Sequence, residues 1–141
     1  MIAMIWKKPK RRRYKVFGRK ITRERLSVEK TAREMLSKIK SVEQADRKAY
    51  EANLEYQQHL MFLKLAERNL REMKSRKVRS VKKLEELKLE QKHALADALY
   101  HRETALIARY VLEAKKGHPK PELLRKAAHA QKAFNKLAKQ E

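Results

Sequence analysis

At 141 residues the chain has length for one domain, but charged residues make up 39% of it and aromatic residues only 6%. That mixture is too polar for a compact globule and too rich in helix formers for simple disorder, which leaves an extended helical protein stabilised largely by partners. The 38 basic and 17 acidic residues give a formal net charge of +21, so the chain repels itself and attracts polyanions, nucleic acid foremost because phosphate density is highest there. Without cysteine, disulfides and thiolate metal sites are excluded. No apolar run approaches the ~20 residues of a membrane span.

Residues 1 to 21 predict an extended basic arm. Lys7, Lys8, Lys10, Arg11, Arg12, Arg13, Lys15, Arg19, Lys20 and Arg23 all precede the first carboxylate, Glu24. Nearly half of the net charge therefore sits in the first sixth of the chain. Like charges this dense oppose collapse, and Pro9 and Gly18 oppose a helix. Arginine grips phosphate oxygens in pairs, and lysine acts as a point charge. Trp6, Tyr14 and Phe17, interleaved with these cations, suit stacking on unpaired bases. The alternative is a solubilising tail or a targeting signal, since mitochondrial presequences are also rich in Arg and poor in acids.

From residue 22 to 116 the composition predicts one very long helix. Neither glycine nor proline occurs between Gly18 and Gly117, and the intervening Lys, Arg, Glu, Leu, Ala, Met and Gln lose little rotamer freedom in a helix. Unbroken, it would extend roughly 145 Å at helical rise. Thr22 is the expected N-cap. Val28, Ala32, Met35, Ile39, Val42, Ala49, Tyr56, Leu60 and Leu63 follow a heptad-like seam, interrupted at Asp46 and Asn53 and shifting to Ala66, Leu70 and Met73. The seam never locks into a strict repeat. It fits a helix that meets different surfaces along its length, the alternative being an antiparallel hairpin with its own core.

The weak point is the basic collar at residues 73 to 83. Lys74, Arg76, Lys77, Arg79, Lys82 and Lys83 carry six charges with no carboxylate among them, and like charges at i,i+3 and i,i+4 destabilise a helix. Either the helix kinks there, with Ser75 or Ser80 as a new N-cap, or it stays continuous and presents cations to phosphates. Beyond it, Glu85, Glu86 and Glu90 alternate with Lys88 and Lys92. Leu84, Leu87, Leu95, Leu99, Leu106 and Tyr110 form the next apolar face, and the alanines around Ala96 allow close approach of another helix.

Residues 117 to 120 predict a turn. Gly117 suits a left-handed cap and Pro119 blocks continuation of the helix. Pro121 then suits the first position of a short helix over 121 to 141, whose Leu123, Ala127, Ala130, Phe134 and Leu137 fold back on Leu99 to Leu112 or dock on a neighbour. The fold class is therefore all-α.

No catalytic constellation is present. Glu90-Gln-Lys-His93 is half of a di-iron helix motif, but it lacks the second copy that such a site needs. His59, His93, His101, His118 and His129 show no zinc-ligand spacing, and two glycines cannot build a phosphate loop. The expectation is a protein without enzymatic activity, metal, cofactor or small-molecule substrate.

The stretch Ala45-Asp-Arg-Lys-Ala49, with His59-Leu-Met61 and Ala66-Glu-Arg68, is similar over about 25 residues to a helical, mitochondrion-specific protein of the small ribosomal subunit. The resemblance implies a structural role in the mitochondrial matrix: an arm threaded into ribosomal RNA, and a helix crossing RNA and neighbouring ribosomal proteins. The charge runs and their interleaved aromatics, rather than the resemblance, mark the expected RNA contacts: Tyr14 and the cations of the arm and collar. Competing readings are a helical protein on an acidic filament such as the microtubule, which should show a lattice-matched repeat, and a coiled-coil assembly factor, which should show a steadier seam. A helix lying on a membrane would need bulkier apolar residues than alanine opposite its charges.

Overall fold

In the computed structural model the described residues are 21, 26–76 and 80–140. They form four helices and, among them, no strand: α1 (Val28–Lys38), α2 (Val42–Ser75), α3 (Val81–Lys115) and α4 (Pro121–Lys139). The all-α fold follows from the composition. The expected N-cap Thr22 and the arm lie outside the described residues.

The stretch expected as one helix is interrupted twice. Three serines, each in extended backbone, cap the starts of α1, α2 and α3. Ser27 accepts a hydrogen bond from the Lys30 amide at 3.2 Å, Ser41 from Gln44 at 3.1 Å, and Ser80 from Lys83 at 3.2 Å. Each satisfies an amide that the first helical turn leaves without a carbonyl. At the first interruption Gln44 Oε1 also accepts from the Lys40 amide at 3.0 Å, a variant of the reciprocal Ser-x-x-Gln cap. The chain leaves α1 at Ile39, which is extended and only 4% exposed, so the break turns its side chain into the core. The second interruption falls within the collar, where α2 ends at Ser75 with Arg76 as its C-cap and α3 begins at Val81 behind Ser80.

The helices then double back rather than continue as a rod. Tyr56 meets Arg102, His59 meets His101, and Leu63 and Ala66 pack with Ala94 and Ala98. Numbers rise along α2 as they fall along α3, so the pair is antiparallel. The alanines admit close approach between the two backbones. α4 reverses again: Ala127 packs near Ile107 and Val111, and Phe134 near Ala96. It folds back on the stretch of α3 expected from its apolar spacing.

α3 is the centre of the bundle. Ala94 and Ala98 face α2, whereas Ala96, about 200° around the helix from Ala94, packs with Phe134 of α4 and with Ile21. Further along, Ile107, Val111 and Leu112 join Val28, Ala32 and Ile39 around α1. The chain thus supplies an apolar core of its own. Of the expected seam, Val28, Ala32, Ile39, Leu63, Ala66 and Leu70 are buried, while Val42 is exposed.

The turn after α3 matches the sequence expectation in detail. Gly117 has φ of 93°. Its amide donates to Ala114 O at 3.0 Å, and the His118 amide donates to Glu113 O at 2.9 Å, the paired bonds of a Schellman cap. An added Cβ at Gly117 would meet nothing within 4 Å, so the penalty for a side chain there is backbone strain alone. Gly117→Ala should cost about 1–2 kcal/mol, measured by urea denaturation, and Gly117→Asn should recover part of that.

Candidate nucleic-acid interface

The expected RNA-contacting residues divide into three groups. Lys7, Lys8, Lys10, Arg11, Arg12, Arg13, Tyr14, Lys15, Arg19, Lys20 and Arg23 lie outside the described residues, as do Lys77 and Arg79. Lys74, Arg76, Lys82 and Lys83 are described, and all four are exposed. The antiparallel packing brings these four together at one end of the α2–α3 pair.

Local electrostatics at this end are unequal. Lys74, in the last turn of α2, and Arg76, its C-cap, stand where the helix dipole favours positive charge. Lys82 and Lys83 occupy the first turn of α3, which contains no acidic residue, so they add to the positive end of that helix dipole. By contrast α1, α2 and α4 begin with Glu29, Glu43 and Glu122. Glu72 is held by Arg68 at 3.2 Å, while Glu85 and Glu86 lie further along α3.

Other polar groups serve the core. Glu103 is 1% exposed and accepts from Gln131 Nε2 at 3.3 Å, and the same nitrogen donates to Leu26 O at 2.8 Å. Gln131 thereby ties α4 to α3 and to the segment entering α1. Burial pushes the Asp97 carboxyl up to about 6, against an ordinary value near 4. Its native form therefore keeps a proton that the unfolded chain releases between about pH 4 and pH 6, so this contribution is present at the acid end and is lost as pH rises through that window. The difference is trimmed by solvent screening to about 1–2 kcal/mol. Asp97→Asn should be the more stable form at pH 7.5, and its advantage should vanish near pH 4. Parallel urea titrations at the two pH values measure this.

His59 and His101 stack across the hairpin, with ring centroids 3.9 Å apart and planes 23° from parallel. With Glu55 they place one ligand atom each within 4.8 Å of one another, a grouping that linear spacing could not reveal because it joins two helices. Imidazole lone pairs lie in the ring plane, so rings this nearly parallel aim them side by side, and a shared metal would require one ring to turn. As arranged, they pack α2 on α3.

Among the described residues, no helix is long and apolar enough to cross a membrane. No family model, curated protein or solved structure matches the chain.

Proposed function

We propose that this protein is a non-enzymatic structural component of a ribosome, in the mitochondrial matrix, anchored on ribosomal RNA by its basic arm and by the cationic end of the α2–α3 hairpin. The observation that carries this reading is the charge: +21 overall, with ten cations ahead of the first carboxylate. The exposed Lys74, Arg76, Lys82 and Lys83 support it, because they concentrate further cations at one end of the folded body. Leu54 and Met61 are exposed on α2 and supply apolar contacts for neighbouring ribosomal proteins. The sequence resemblance points the same way.

The filament reading drew on the length of an unbroken rod. A bundle whose longest helix has 35 residues spans roughly 50 Å at helical rise and offers much less of a lattice-spanning surface. Arg11→Ala/Arg12→Ala/Arg13→Ala should leave the helical circular dichroism spectrum unchanged and reduce incorporation into ribosomal particles several-fold, read by co-sedimentation. Undiminished incorporation would remove the arm as an anchor, and co-pelleting with microtubules in place of ribosomal particles would favour the filament.

A further inference from the structure

A cleft of about 510 Å³ lies where α2, α3 and the start of α4 meet. Its charged lining is Arg102 and Arg109 from α3, Lys120 from the turn and Lys126 from α4, against Asp46 from α2. Glu113, 8% exposed, already pairs with Arg109 at 3.2 Å and with Lys120 at 3.8 Å. Two positive charges remain in excess after both carboxylates are counted. Tyr50, on the α2 wall, is 65% exposed. The Tyr56 hydroxyl accepts from Arg102 Nη1 at 3.4 Å, which holds the guanidinium at the rim.

We propose that this cleft binds a short single-stranded segment of RNA, its phosphates on Arg102 and Lys126 and one base stacked on Tyr50. Guanidinium and ammonium groups beside an exposed aromatic face are what single-strand recognition uses. The volume lies within the range of pockets that hold small organic ligands. An acidic amphipathic helix is the other occupant with matching charge; the exposed Tyr50 face beside Arg102 and Lys126 favours the nucleic acid, whose bases stack on such a face. The proposal rests on the RNA-binding reading and adds a second contact well away from the hairpin end. From Asn53, which lines the cleft, to Arg76 the chain runs along α2 for roughly 35 Å at helical rise, too far for a trinucleotide to touch both.

The test uses the full chain with two probes at low salt: fluorescein-labelled UUU trinucleotide and a 20-nucleotide single-stranded RNA, followed by anisotropy. Arg102→Ala/Lys126→Ala should weaken trinucleotide binding at least tenfold. Tyr50→Leu should weaken it about fivefold or more, with Tyr50→Phe restoring it because the stacking face returns. Lys82→Ala/Lys83→Ala should leave the trinucleotide unaffected and weaken the 20-mer. Circular dichroism confirms that each variant is folded. Trinucleotide binding that is absent, or indifferent to the cleft substitutions, overturns the cleft proposal even if the 20-mer still binds. So does an acidic helical peptide that binds through Tyr50 and Lys126 where the trinucleotide does not. Failure of the wild-type protein to bind either RNA overturns the RNA-binding reading itself.

Discussion

Affinity for RNA should collapse with added salt. Sixteen candidate cations sit in the arm and collar. If about six to ten of them neutralise phosphates, released counterions make the association constant fall by about 10³- to 10⁵-fold between roughly 50 and 200 mM salt. The logarithmic slope should be steep and nearly independent of RNA sequence, because lysine and arginine contacts to phosphate carry little sequence information. Filter binding across a salt series measures it. A slope near zero would mean that the charge has no polyanionic partner of this kind. Removing Lys82 and Lys83 should shallow the slope by up to about two units, whereas neutral substitutions at exposed Leu54 should leave it unchanged.

Phe134→Ala should be the most destabilising single truncation in the bundle. Phe134 is 1% exposed and packs with Ile21 and Ala96, beside the half-buried Leu99 and Tyr100. Deleting a buried phenyl ring loses its transfer free energy and leaves a cavity, about 3–5 kcal/mol together. In a domain of this size that is a drop in Tm of roughly 10–20 °C. The alanines opposite cannot expand to refill the space. Phe134→Leu should retain more than half of the lost stability. A cost below about 1 kcal/mol would show that α4 does not depend on this anchor for docking on α3.

How much of this could be read in advance depended on which residues enforced each feature. The turn at Gly117 was legible because glycine and proline constrain the backbone directly, and the observed φ and paired cap bonds follow from them. The break at Ile39–Ser41 was missed, since neither residue type occurs there. Its signal was Ser41 followed three residues later by Gln44, whose side chain secures the Lys40 amide. Ser80 was among the expected restart points, and it caps α3.

The doubling back of the chain was harder to foresee. α3 is buried on several sides, so its apolar residues surround the helix instead of forming one stripe. That blurs the 3.6-residue period on which a sequence reading relies. Alanines 94, 96 and 98 hinted at close packing but not at which helices would supply it. Glu103 and His93 are buried at 1% and 2% exposure, which residue type alone does not announce. The collar was visible as a run of cations. The cleft was not, because Tyr50, Arg102 and Lys126 come from three helices and converge only in the folded chain.

The most direct test of the central claim is sedimentation of the native protein from mitochondrial lysate through a sucrose gradient, with and without RNase. The account predicts that the protein migrates with ribosomal particles in low salt and moves to the top of the gradient once their RNA is digested. A protein that stays at the top without RNase, while the ribosomal particles remain intact, would contradict it.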